Sequence, residues 1–176
     1  MADLIESSIA VFREPSASGA LAERLGSGTP ESIVAASEVA VPLVVQAIQY
    51  QLTEPADGER LAEVIGGIDA IDLTDPANAF GSGRYAPSGL RLVDHILTDA
   101  DSRGRAARTI TEQSGLQAGS GAEMLSAAAW VVGARLRDRA GAAPSAAALA
   151  DVLAGRPTSS EPPMPPGPIG ASAAGP

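Results

Sequence analysis

Apolar residues recur at intervals of three and four along most of this chain, and no stretch keeps the alternation of two that a half-buried strand needs. In residues 3–13, Leu4, Ile5, Ile9 and Phe12 fall on one helical stripe. Residues 17–25 read as a second short helix, stopped by Gly26 and Gly28. Thr29, Pro30 and Glu31 then stand in the order of an N-cap, a first helical residue and a first-turn acid. A long apolar helix is expected from there to about Leu52. Pro42 lies inside it and predicts a kink, or a break after Val41, because proline lacks the N–H and its ring crowds the preceding turn.

Residues 55–58 read as a turn, and 59–65 as a short helix ended by Gly66 and Gly67. The pattern then breaks. Asp69, Asp72, Asp75, Pro76, Asn78, Gly81, Gly83 and Pro87 predict a loop-rich connection over 68–88. Helical spacing resumes over 88–97, with Leu90, Val93, Ile96 and Leu97 expected inward, and again over 102–113, closed by Gly115. Residues 121–140 form a second long helix, almost uniformly apolar to Val132, and 144–153 a short final one.

The two series resemble each other. Residues 61–67 (LAEVIGG) lie over 149–155 (LADVLAG), and at the same offset 42–48 lie over 130–136; 21–26 match 110–115 one residue out of step. What recurs is a set of apolar and small positions, not of reactive groups. The expected fold is therefore all-α: an irregular multihelical bundle of about eight helices, built from a first pseudo-repeat (1–67), the connection (68–88) and a second pseudo-repeat (89–155) around one core. The long segments near 33–52 and 121–140 should pack together at its centre. The Pro-rich sequence from 156 to 176 cannot bury enough apolar surface to offset its ordering entropy, and is expected to be a disordered tail with polyproline character.

The second series also carries a resemblance. Val93-Asp94-His95-Ile96-Leu97, then Gln113-Ser114-Gly115-Leu116, then the apolar run 124–136, are similar to the YidB-like family, a bacterial domain of unknown function (DUF 937). Members have a long helix often containing Ala-Pro, matched here only by Val41-Pro42 in the first series; Trp130 stands there in the second. Residues 80–83 (FGSG) resemble a shortened form of the family's glycine-rich linker. The resemblance implies an irregular multihelical fold and brings no activity or catalytic residues with it.

Composition narrows the partners. Cysteine is absent, so neither disulfides nor thiolate metal sites exist. All twelve cations are Arg, which with the Ala, Gly and Pro content suggests a GC-rich bacterial genome. Aromatics number five, so close approach through small side chains is expected to build the core. Asp3 and Glu6 stand where a secretory signal has basic residues, and the apolar runs, interrupted by Glu38 and Pro42 or closed by Arg135, fall short of a membrane span. A cytoplasmic location without membrane partners is expected. The net charge of −9 disfavours nucleic acid. It is unevenly spread: residues 1–67 hold ten acids and three Arg (−7), residues 89–141 six acids and seven Arg (+1).

Candidate chemistry is thin. His95 is the sole histidine, with Asp94 beside it and Asp99 four residues on, but no Gly-x-Ser-x-Gly elbow accompanies it, and zinc needs three or four converging ligands. Residues 99–110 begin like a calcium loop, yet Arg103 takes a ligand position and Ile110 stands where the final Glu belongs. Asp69, Asp72 and Asp75 read as caps and turns, and the Gly-Ser-Gly triplets as helix ends. Trp130 reads as core. Arg103, Arg105, Arg108, Arg135 and Arg139 form the candidate docking group, for an acidic partner or the acidic half of another copy. The Pro-x-x-Pro spacing at Pro162/Pro165 and Pro163/Pro166 suits a peptide ligand. The expectation is a non-catalytic interaction or assembly protein without cofactor or metal, with a small-ligand-binding protein or enzyme whose site surrounds His95 and the arginines as the alternative.

Overall fold

The structure, a computed structural model, describes residues 1–156; the expected disordered tail lies, but for Arg156, outside the described residues. Nine α-helices and one 3-10 turn make up the described part, which contains no strand: α1 (Ala2–Arg13), α2 (Pro15–Leu25), α3 (Pro30–Gln51), α4 (Pro55–Gly66), the turn Ile71–Thr74, α5 (Pro76–Ser82), α6 (Ala86–Ile96), α7 (Ala100–Ser114), α8 (Ser120–Ala140) and α9 (Ala146–Leu153).

Helix starts follow local chemistry. Thr29 caps α3 in a capping box, its hydroxyl accepting from the Ser32 N–H at 3.3 Å while the Ser32 hydroxyl accepts from the Thr29 N–H at 2.8 Å. Asp99 caps α7 by accepting from the Ser102 N–H at 2.7 Å, and Ser145 caps α9. Five helices (α2 to α6) carry proline in their first turn, where the missing N–H costs nothing. This explains one difference from expectation: residues 55–58 are not a turn before α4 but its first turn, with Pro55 opening it.

Pro42 neither splits α3 nor ends it. It sits half-buried on the outer side, and the carbonyl it leaves without a helical donor belongs to exposed Glu38, within reach of water. Contrary to the sequence expectation, α3 is long and apolar enough to cross a membrane by length and composition alone, with a mean hydropathy of 1.5. In this fold it packs against α1, α2, α7 and α8.

The expected meeting of the long helices holds: α3 lies against α8. Helix α8 is buried at fourteen of its twenty-one positions, more than one apolar stripe provides, and accordingly α1, α3, α4, α6, α7 and α9 all touch it. Close approach makes this possible. A Cβ placed on Gly89 of α6 would lie 2.1 Å from the Ser126 carbonyl oxygen, and one on Gly121 of α8 would lie 2.1 Å from the Ala107 carbonyl oxygen of α7. Glycine at these two positions lets backbone rest on backbone.

The connection 68–88 is the largest departure from expectation. Helix α5 forms there and packs on α2, and Phe80 and Tyr85 are fully buried. Phe12, Phe80, Tyr85 and Trp130 converge: Phe80 lies 5.4 Å from Phe12, 5.4 Å from Tyr85 and 5.6 Å from Trp130 between ring centroids. Four of the five aromatic side chains thus make one plug, and small residues do not build the core alone. Residues 80–83 are the last turn of α5, not a linker. Leu90, expected inward, is 53 % exposed, while Val93 and Ile96 are buried as expected.

Candidate functional site

In the first turn of α8 the exposed Ala122 forms a low ridge with a groove on each side. Ala122 belongs to both grooves. One runs between α7 and α8, lined by Ala107, Arg108, Thr111, Ala118, Gly119 and Gly121, with Glu112 at its edge. The other runs between α6 and α8, lined by Ala86, Pro87, Leu90, Glu123 and Ser126, and ends at Gly83. Their walls are short because the close approach of α6, α7 and α8 demands small residues there. Projecting Leu90 is the one large apolar side chain lining either groove.

A polar group closes the α6/α8 groove. Glu123 accepts from the Arg24 guanidinium at 3.0 Å and from the Tyr85 hydroxyl at 2.9 Å, both on Oε1. The Arg24 guanidinium lies 5.9 Å from the centroid of the Tyr85 ring. Gly83 ends α5 with φ of 74°, and a Cβ there would lie 2.5 Å from the guanidinium carbon, so glycine supplies both the left-handed turn and the space for Arg24. Burial, together with the hydrogen bond to Glu123, raises the Tyr85 phenol above its ordinary range; Arg24 opposes this in part. The group holds α2, α6 and α8 together and keeps the Glu123 charge compensated beside an apolar groove. Nothing local in the sequence signals it, since the three residues are far apart along the chain.

The five candidate arginines are not brought together. Arg108 lies at the α7/α8 groove beside Gly121, whereas Arg139 sits eighteen residues further along α8 than Gly121, roughly 27 Å by helical rise. Arg139 binds Asp3 at 2.8 Å and Ser7 at 2.9 Å, tying α8 to α1. Arg103 is paired with Asp94 of α6. Arg105 donates to the Ser102 hydroxyl at 2.8 Å and, like Arg108, is exposed. The Nε of Arg135 is buried without a hydrogen-bond partner, as are the Nε of Arg137 and the Nε2 of His95. Spacing on each helix was legible from the sequence. Which ends of α7 and α8 meet was not.

Around His95, Asp94 is engaged by Arg103 and Asp99 by its capping role, which also holds the Asp99 carboxyl below its ordinary range through the Ser102 hydrogen bonds. Asp75 caps α5 through the Asn78 N–H at 3.2 Å, and Asp72 pairs with Arg84 at 3.2 Å. Among the described residues, no three His, Asp or Glu side chains converge in a way that could hold a metal ion. Of the Gly-Ser-Gly triplets, Gly26 and Gly83 end helices as expected, but Gly121 serves packing within α8.

A model of the family described as bacterial protein of unknown function, DUF937, matches residues 11–137. The chain belongs to the DUF937 family. The match runs from α1 to near the end of α8, so the family takes in the first helical series as well as the second, on which the sequence resemblance chiefly rested. Both grooves and the Arg24–Tyr85–Glu123 group of this DUF937 protein lie within it. No curated protein matches the chain. No solved structure matches it either.

Proposed function

We propose that this DUF937 protein is a non-catalytic, cytoplasmic interaction or assembly module, and that the ridge and paired grooves at the start of α8 receive its protein partner. The observation that carries the reading is the grooves themselves: nearly unbroken apolar lining on both sides of Ala122, Leu90 exposed within one, and Arg108 at the other. An amphipathic helix of a partner fits such a surface, with an acidic residue to meet Arg108 and Arg105. The acidic first half of another copy is one source of that chemistry.

The module is read as a duplication. In chain order α1, α2, α3 and α4 have 12, 11, 22 and 12 residues, and α6, α7, α8 and α9 have 11, 15, 21 and 8. The long third helix of each series packs on its own first, second and fourth, and the two third helices pack on each other, as do the two fourth ones. These correspondences support two pseudo-repeats sharing a core, with the turn Ile71–Thr74 and α5 inserted between them.

The test is Ala122→Arg, which puts a long cation on an exposed ridge without touching the core. A partner recovered from the native host with the wild-type chain should be lost with the variant at unchanged melting temperature. Equal recovery would remove the reading. Self-docking in particular requires association that weakens as salt rises, and strictly monomeric behaviour at all salt concentrations contradicts it.

A second reading has its own observation: the buried, unpartnered Nε2 of His95, with the similar Nε atoms of Arg135 and Arg137. A small anionic ligand would satisfy such donors. Identical ligand-induced melting shifts for wild type and His95→Ala across a metabolite panel would dispose of it.

A further inference from the structure

Helix α6 carries an apolar knob beside a recess. Pro87, Leu90 and Asp94 are all exposed and stand at i, i+3 and i+7, on one face of the helix. Leu90 projects at the rim of the α6/α8 groove, whose neighbouring walls, Ala86, Pro87 and Ala122, are short. A protruding side chain next to a recess on the same face is self-complementary. Two such helices laid antiparallel seat each knob in the other's recess. Met1, Tyr50 and Leu90 are the exposed large apolar side chains among the described residues, and of these Leu90 lines this groove.

Charge follows the same symmetry. When Leu90 packs over Pro87 of a second copy, Asp94, four residues further on, comes opposite Gly83, four residues before that Pro87. Arg24 stands against Gly83 and pairs with Glu123 at 3.0 Å, while Asp94 pairs with Arg103. The antiparallel arrangement therefore brings the Asp94 carboxylate of each copy to the Arg24 guanidinium of the other, at both ends of the contact. All four side chains are between a third and a half exposed, so they are open to such a contact. Each end joins two existing ion pairs and carries no net charge. That matters for a chain of net charge −9, which repels its own copy wherever acids stand unpaired.

We propose that the α6/α8 groove binds a second copy of this chain, α6 against antiparallel α6, with each Leu90 seated over Ala86 and Pro87 of the other. The inference rests on the reading of the grooves as docking surfaces and names the occupant of this one. It leaves the α7/α8 groove, with Arg108, to an acidic helix. The eleven residues of α6 span about 16 Å, and with the groove beside them cover on the order of 300 Å² per copy, below the roughly 800 Å² of a standard interface. The dimer is accordingly reversible and concentration-dependent, held by two leucines and two charge contacts.

Sedimentation equilibrium of the full-length wild-type chain over a concentration series should show a monomer–dimer equilibrium. Dilution should shift backbone amides over residues 83–94 and 122–126. Leu90→Glu changes a side chain that is 53 % exposed, so the melting temperature should not move, yet both copies lose a leucine from the contact and the dimer should weaken by about a hundredfold or more. Leu90→Met, similar in volume, should retain it. A wild-type chain that stays monomeric at every concentration would overturn the proposal. So would a dimer indifferent to Leu90→Glu, or dilution shifts confined to other helices, which assign self-association to another surface. A host partner lost with Ala122→Arg while the wild-type chain is strictly monomeric removes this inference alone and leaves the docking reading standing.

Discussion

Gly89→Ala separates backbone packing from helix propensity, because the two predict opposite signs. Gly89 is interior to α6 with ordinary helical φ, so propensity alone makes alanine stabilising by about 0.5–1 kcal/mol. The structure says otherwise. The new Cβ would lie 2.1 Å from the Ser126 carbonyl oxygen and 2.8 Å from its carbon, both backbone atoms of the most buried helix. A carbon–oxygen contact settles at about 3.3 Å or more, so α6 and α8 must part by roughly 1 Å along a line of tight contacts. Forcing an extra methyl into a packed core costs about 1–3 kcal/mol, which outweighs the propensity gain. The matched control is Gly104→Ala: it also lies inside a helix, but nothing stands within 4 Å of its Cβ, and there only the gain of about 0.5–1 kcal/mol remains. Urea unfolding of both variants, followed through Trp130, should give a lower midpoint for Gly89→Ala and a higher one for Gly104→Ala at similar m-values. A Gly89→Ala chain as stable as wild type would refute the claim that α6 and α8 meet through their backbones.

Gly121→Ala should behave like Gly89→Ala, since its Cβ meets the Ala107 carbonyl, and a small melting-temperature rise would contradict that. Tyr85→Phe removes the hydrogen bond to Glu123 at a cost of about 1 kcal/mol. Because the folded-state pKa of Tyr85 is raised, its stabilisation is present below the unfolded value near 10 and lost as pH climbs through the folded one; an alkaline denaturation profile should fall less steeply in the variant. Asp99→Ala should lower the melting temperature at neutral pH. The folded Asp99 pKa is depressed, so that difference is present above the ordinary carboxylate range and shrinks as acid protonates the wild-type cap; a pH-independent difference contradicts capping by the carboxylate.

Much of the scaffold was legible before the structure, wherever local physics decides it. Thr29-Pro30 marks a helix start, Gly26 and Gly115 mark ends in the left-handed region, and the apolar runs named the two helices at the centre, whereas Asp99 caps α7 three residues before the start expected from the pattern. Residues 68–88 were misread because Pro76, Asn78, Gly81 and Gly83 satisfy the composition of a loop equally well as the ends of a short helix; what decides is Phe80, which has an aromatic pocket to fill only once α1, α6 and α8 are assembled. Leu90 follows the apolar pattern yet faces out, since Gly89 beside it, not Leu90, meets α8. The five arginines expected to form one docking group lie apart. Periodicity groups residues along one helix, and only packing between helices separates Arg108 from Arg139.

Amide hydrogen exchange measured residue by residue tests the shared core formed by α3 and α8 most directly. Met124–Leu136 and the buried amides of α3 around Ala40 and Val44 should exchange slowest in the chain, at rates set by global unfolding and equal in the two helices. Slow exchange in one long helix and rapid, independent opening of the other would contradict it.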